Sequence, residues 1–93
     1  ALLEMIELAE LRSWIVARVT DLEAGTLDPR VRIPVPHPTD IGRILRLHLE
    51  GRSQRQIAEA LGMSLGLVNK RIAEGTNYLV VLQGLECGLT PPR

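Results

Sequence analysis

Apolar and polar residues recur with a helical period along the first quarter of the chain. Within Leu2–Glu23 one stripe carries Leu8, Leu11, Ile15 and Leu22, and glutamates occupy much of the other side. This pattern predicts one long amphipathic helix. Its apolar arc is wider than packing on one small partner requires. The helix therefore serves either as an ordinary core helix or, in addition, as part of a dimer interface.

A proline-rich segment follows the first helix. Residues 26–38 contain Pro29, Pro34, Pro36 and Pro38, which favour extended or polyproline-like backbone and disfavour a helix. We expect a stiff connector whose valines and isoleucine tack it to the surface of the core. A ligand of the PxxP kind for another protein is the alternative interpretation.

Helical periodicity then returns with recognisable start and stop signals. Thr39 can cap a helix that carries Asp40 in its first turn, where the helix dipole favours an acid, and Gly51 can end it. Ser53 and Gln56 have the spacing of a capping box for the next helix. The pattern therefore predicts a pair of short helices in this part of the chain.

A last helix is predicted to begin after Ser64 and to continue through the apolar residues 78–85. Gly75 lies inside it and costs about 1 kcal/mol relative to alanine, so we expect a bend or fraying there. The whole pattern predicts an all-α protein. Its predicted parts are an N-terminal helix (1–25), a connector (26–38), a helix-turn-helix region (39–86) and a C-terminal tail (87–93).

Residues 53–73 have the spacing of a helix-turn-helix. Ala58 is small where two crossing helices would touch, and Gly62 suits the backbone angles of a tight turn. Val68, together with Ile57, would lock the crossing. Because such a unit presents its second helix to the major groove, the motif predicts binding to double-stranded DNA by a transcription regulator.

Three segments of this motif follow a known family pattern: residues 51–53, 57–62 and 64–72, with Gly75 and Leu79 after them. Together they resemble the promoter-reading final region of bacterial sigma factors and, less closely, the LuxR-type regulators. The resemblance spans residues 51–79, about a third of the chain. It implies that the last helix reads bases and that the helix before it lies over the DNA backbone. The regulator would then be of bacterial, phage or plasmid type. Where the sigma pattern has a basic run after the motif, this chain has Glu74, Thr76 and Asn77.

Carried over residue by residue, the resemblance assigns base contacts to Ser64, Leu65, Gly66, Asn69, Lys70 and Ala73. Asn69 can pair with adenine, and Lys70 with guanine or a phosphate. The phosphate contacts are assigned to Arg52, Ser53, Gln54, Arg55 and Arg71. For Arg71 a second role stays open, because it can also pair within the chain with Glu74 or Glu50.

Charge is unevenly distributed although the net charge is zero. Residues 51–73 hold four basic residues and one acidic residue, which agrees with duplex DNA as the partner. This excess is modest for one copy, since phosphate neutralisation supplies most non-specific affinity. We therefore predict a homodimer on a two-fold DNA site. The predicted dimer contacts are Leu8, Leu11, Ile15, Leu22, Leu79 and Leu82.

Catalytic and metal chemistry has little support in the sequence. His37, His48 and the single Cys87 lack the spacing of a zinc site, and no glycine-rich phosphate loop or Ser/His/Asp arrangement occurs. We predict no enzyme activity, cofactor or metal in this segment. One cysteine fits a reducing bacterial cytoplasm, with nucleoid association when bound, and the longest apolar run is too short for a membrane span.

Two other functions stay open at this point. A sigma-like module with no net charge could bind RNA polymerase or another regulator instead of DNA. Alternatively, the segment could target a larger enzyme of the recombinase or terminase type to DNA, with the catalytic part outside these residues. Duplex binding that depends on salt argues against the first alternative, and the full-length gene product decides the second.

Overall fold

The computed structural model describes the backbone of residues 2–86 and the side chains of residues 9–86. Four helices follow one another: α1 (Leu2–Glu23), α2 (Pro38–Leu49), α3 (Gln54–Leu61) and α4 (Leu65–Glu86). Residues 2–86 contain no β-strand, which confirms the predicted all-α class. None of the helices in this part of the chain is both long and apolar enough to cross a membrane.

A first hydrophobic cluster joins α1, α2 and the second half of α4. Its buried members are Val19, Leu22, Ile41, Leu45, Tyr78 and Leu82. The connector lies against this cluster through Leu27, Val31 and Val35, which confirms the predicted contact for the two valines, whereas Ile33 is half-buried outside the cluster. Leu22 and Leu82 are 0% and 1% exposed. The prediction that they contact a second copy is therefore corrected, because both side chains are buried in the core that α1, α2 and α4 share.

A second cluster joins α2 to the helix-turn-helix. Ile44 of α2 packs with Ile57 and Ala58 of α3 and with Val68 of α4, and all four side chains are buried. Met63 of the turn packs against the same cluster. Ile57, Ala58 and Val68 are thus core residues of the helix-turn-helix, as their spacing predicts. This cluster fixes α3 and the start of α4 on the body formed by α2.

Two glycines allow the helices to approach α2 closely. A Cβ atom at Gly42 would lie 2.5 Å from the backbone nitrogen of Glu23 in α1. A Cβ atom at Gly75 would lie 2.7 Å from both Ile41 Cγ2 and Leu45 Cδ1 of α2. The expected fraying at Gly75 is wrong, since α4 runs without interruption from Leu65 to Glu86. Close packing on α2 offsets the low helix propensity of this glycine.

The start of α2 differs from the predicted cap. The helix begins at Pro38 and not after Thr39, and the residue at the N-cap position is His37 with φ 54° and no side-chain capping bond. Proline suits the first helical position because it lacks the N–H that would have no helical partner there. Asp40 lies in the first turn as predicted.

Polar contacts tie the connector to the packed half of α4. The backbone N–H of Asp28 donates to the Tyr78 hydroxyl oxygen at 2.9 Å. The Asp28 carboxylate accepts from Arg30 Nε at 3.0 Å and from Arg30 Nη2 at 2.8 Å. The side-chain hydrogen bond from Arg30, aided by the Arg30 backbone N–H, lowers the pKa of Asp28 from 3.8 to about 2. At the end of α4, Glu86 accepts from Trp14 Nε1 at 2.8 Å.

Candidate nucleic-acid interface

The first helix of the motif, α3, begins with a complete capping box. Ser53 Oγ accepts from the Gln56 backbone N–H at 3.1 Å, and Gln56 Oε1 accepts from the Ser53 backbone N–H at 2.9 Å. The predicted box is confirmed, and it fixes the direction in which the chain enters α3. Beside it, Arg52, Ser53 and Arg55 are exposed, whereas Gln54 is half-buried.

The turn between α3 and α4 is short and tightly hydrogen-bonded. Gly62 has φ 66° and ψ 34°, the left-handed conformation that glycine adopts without a steric penalty. The backbone N–H of Met63 donates to the Ala58 carbonyl at 2.9 Å. Ser64 Oγ then accepts from the Leu67 backbone N–H at 3.1 Å and caps α4. The turn glycine and the serine cap are both as predicted.

The residues predicted to face bases share one side of the first turns of α4 and the residue before it. We call this set the reading face: Ser64, Leu65, Gly66, Asn69, Lys70 and Ala73. All six are exposed. Their spacing of three and four residues places them on one side of the helix, while Val68 anchors the other side in the core. The structure therefore brings together every residue of the predicted base-contacting set.

Within the reading face, no contact or backbone angle of the described chain explains why residue Gly66 is a glycine. Its φ lies outside the left-handed region, and a Cβ atom there would have no heavy atom within 4 Å. Neither the backbone conformation nor the packing of the described residues requires glycine at this position, the second residue of α4. Because Gly66 has no side chain, the helix surface is bare there, and a flat partner can approach the backbone closely.

The charge on this side of the molecule is not neutralised internally. Arg52, Arg55 and Lys70 are exposed, and none of them forms an ion pair with another residue that the structure describes. Some arginines elsewhere are paired, as Arg46 is with Glu23 at 2.6 Å, whereas Arg32 and Arg43 are exposed without an ion pair among the described residues. Unpaired positive charge is therefore present on the reading face at Lys70 and at the start of α3, but it is not confined to them.

Of the two roles that the sequence left open for Arg71, the structure shows the ion pair within the chain. Its Nη1 donates to Glu74 Oε1 at 2.6 Å, and the two side chains are only 11% and 22% exposed. The prediction of a phosphate contact at Arg71 is therefore corrected. The physical reason is its i,i+3 spacing to Glu74, which brings the two partly buried side chains together on one side of α4.

The predicted dimer residues are scattered between core and surface. Leu22 and Leu82 are buried, Ile15 and Leu79 are half-buried against the first cluster, and Leu11 is 38% exposed. The side chain of Leu8 lies outside the described residues.

Sequence reasoning missed Val80, which is 61% exposed. The signal was available: Val80 follows Ala73 and Asn77 at helical spacing, and so it continues the exposed side of α4.

Both histidines are exposed, and Cys87 and the tail 87–93 lie outside the described residues. Within the part of the chain that the structure describes, no three His, Cys, Asp or Glu side chains come together as a metal site would require.

Comparison with known proteins does not assign the chain to a family. No protein-family model matches the sequence, and searches of curated proteins and of solved structures find no similar protein. The resemblance of residues 51–79 to sigma factors and LuxR-type regulators therefore stays a prediction from the motif. The function has to be argued from the geometry of the helix-turn-helix itself.

Proposed function

We propose that this chain binds double-stranded DNA in the major groove and acts as a bacterial-type transcription regulator. The observation that carries the proposal is the reading face, six exposed residues on one side of α4, among which Lys70 forms no ion pair with any residue whose side chain the structure describes. A capped α3, the Gly62 turn and a buried Val68 hold that face away from the body of the molecule. This is the arrangement in which a second helix enters a groove about 12 Å wide.

The side chains of the reading face offer a small set of base contacts. The Asn69 carboxamide suits the N6 and N7 atoms of adenine, and Lys70 suits guanine O6 and N7. Leu65, 42% exposed at the start of α4, can contact a thymine methyl group. Gly66 and Ala73 leave room for the base edges. Together they favour a short site that contains an A·T pair next to a G·C pair.

The start of α3 supplies the contacts that would set the register on DNA. Arg52 and Arg55 are exposed and form no ion pair with a described residue, and the N-terminus of α3 beside them carries backbone N–H groups and the positive end of the helix dipole. The Ser53 hydroxyl accepts within the capping box and keeps its own O–H to donate. These contacts add affinity without sequence information.

Selection of bound sequences from a random duplex pool, followed by fluorescence anisotropy on the selected duplex and on an unrelated one, tests the proposal. We expect Asn69→Ala to weaken binding to the selected duplex by about tenfold or more with little effect on the unrelated duplex. Arg55→Ala should weaken both equally and reduce the salt slope by about 0.9. Arg32→Ala removes an exposed charge from the connector and serves as the matched control.

Two results would contradict the proposal. One is the absence of any enriched sequence and of any salt-dependent duplex binding, which would favour an interaction module for RNA polymerase or another regulator. The other is an equal loss for Asn69→Ala and Arg32→Ala on the selected duplex, since the reading face would then have no special part in binding.

A further inference from the structure

An apolar groove with a volume of about 260 Å³ lies between α1, the end of α2 and the second half of α4. The residues that form its walls are Leu11, Trp14, Ile15, Leu49, Leu79 and Val80. Leu11 and Val80 are 38% and 61% exposed, so the groove is bordered by apolar side chains that meet solvent. Such a surface is typical of a site that another molecule covers.

We propose that a second copy of this chain covers the groove, with Val80 of each copy entering the groove of the other. The first argument is shape. Val80 is the most exposed large apolar side chain among the described residues, and it stands at the edge of the hollow. A projection beside a hollow on one surface is self-complementary when a two-fold axis relates the two copies.

The second argument is charge. Among the described residues that line the groove none is a lysine, arginine, aspartate or glutamate, and the polar ones are His48, Thr76 and Gln83. A two-fold interface sets each patch against an identical patch, so any charge in it would meet its own kind. The groove can therefore pack against the groove of a second copy without such repulsion. If two reading faces met in the same way, the two Lys70 side chains would repel each other.

Sedimentation equilibrium of the purified chain without DNA tests the proposal. Val80→Asp should raise the dimer dissociation constant by about a hundredfold, because the interface would bury the uncompensated charge twice. The exposure of Val80 lets the variant fold, and unchanged circular dichroism checks this. Ala17→Asp adds the same charge on an exposed position of α1 outside the groove, and we expect it to dimerise like the wild type.

Trp14 gives a second, independent readout, because it is the only tryptophan of the chain and lines the groove. Its emission should move to shorter wavelength as the wild-type protein is concentrated, and it should stay constant for Val80→Asp. A wild type that stays monomeric at every concentration overturns the proposal, as does a Val80→Asp variant that associates normally. A monomer that binds the dye anilinonaphthalene sulfonate in the groove would point to a small apolar ligand and also overturns it.

These outcomes are separate from those for DNA binding. A dimer that enriches no duplex supports the groove as an interface while contradicting the proposed function. A monomer that binds its selected duplex does the reverse.

Discussion

Gly75 and Gly66 both lie inside α4, yet their surroundings are opposite. Gly75 is buried, and a Cβ atom there would lie 2.7 Å from side-chain atoms of Ile41 and Leu45. Gly66 is exposed, and a Cβ atom there would meet nothing within 4 Å. A glycine in a helix interior costs about 1 kcal/mol, and Gly75 occupies such a position, whereas Gly66 is the second residue of α4. The packing of the chain accounts for glycine at position 75, whereas no contact within the described residues accounts for it at position 66.

The same contrast between packed and exposed surroundings holds for the two halves of α4 in which these glycines lie. The second half of α4 carries Tyr78 and Leu82, which are buried against α1, α2 and the connector. The first half buries Val68 but leaves a continuous row of small and polar residues free. The second half of α4 is thus part of the core, and in the proposed function the first half contacts DNA. Changes in the two halves should therefore alter different measurements.

The largest effect on stability is expected from Gly75→Val. The added branched side chain would overlap Ile41 and Leu45, which are 0% and 6% exposed and have no room to move away. We expect a loss of about 2–3 kcal/mol in the free energy of unfolding, measured by urea denaturation. The matched control is Gly66→Val, which makes the same substitution in open space. Equal losses at the two positions would contradict the comparison.

Gly66→Val is also a prediction in its own right. Stability should change by no more than about 0.5 kcal/mol, since valine has the better helix propensity and meets no neighbour. Affinity for the selected duplex should fall by about tenfold, equivalent to about 1.4 kcal/mol, because the side chain would hold the helix away from the base edges. Anisotropy measures the affinity. Unchanged affinity would show that the bare surface at Gly66 has no part in binding DNA.

The sequence predicted the open half of α4 better than the packed half. The caps at Ser53 and Ser64, the Gly62 turn and the exposed row at Asn69 and Lys70 all follow from local rules, in which neighbouring residues decide the outcome. Such rules can be applied without knowing the fold. For this reason α3, the turn and the start of α4 are predicted with nearly correct boundaries, and the six residues of the reading face are exposed as expected.

The errors concern contacts between segments distant in sequence. Leu22 and Leu82 were assigned to a dimer, and they are buried because α1 and α4 share one core with α2. Gly75 was expected to weaken α4, and it instead permits close contact with Ile41. Arg71 is a local exception, because its i,i+3 spacing to Glu74 allows an ion pair but does not by itself decide between that pair and a phosphate contact. Apolar periodicity shows that a side chain prefers burial, but it does not show whether the same chain or another copy buries it.

A smaller effect is expected from Tyr78→Phe in the packed half. The substitution keeps the buried ring and removes the hydroxyl oxygen that accepts from the Asp28 backbone N–H at 2.9 Å. We expect a loss of about 1 kcal/mol, the usual cost of leaving a partly buried donor without a partner. Thermal denaturation measures the loss, and hydrogen exchange at the Asp28 amide should become faster. DNA affinity should stay constant, and a change in it would show that the two halves are coupled.

The smallest expected effect is a dependence on pH that Asp28→Asn should remove. The side-chain hydrogen bond from Arg30 lowers the pKa of Asp28 below its ordinary 3.8, to about 2, so the ionised carboxylate stabilises the folded state. That contribution is fully present above pH 3.8 and is lost as the pH falls through about 2. Wild type and Asp28→Asn should therefore differ in melting temperature at neutral pH and converge near pH 2. The difference should be small, because the Arg30 side chain is 51% exposed and water screens the pair.

Glu59→Gln serves as the control on α3, since Glu59 is exposed and pairs with no cation among the described residues. If Glu59→Gln flattened the acid limb of the profile as much as Asp28→Asn, the acid sensitivity would not belong to the connector and the packed half of α4.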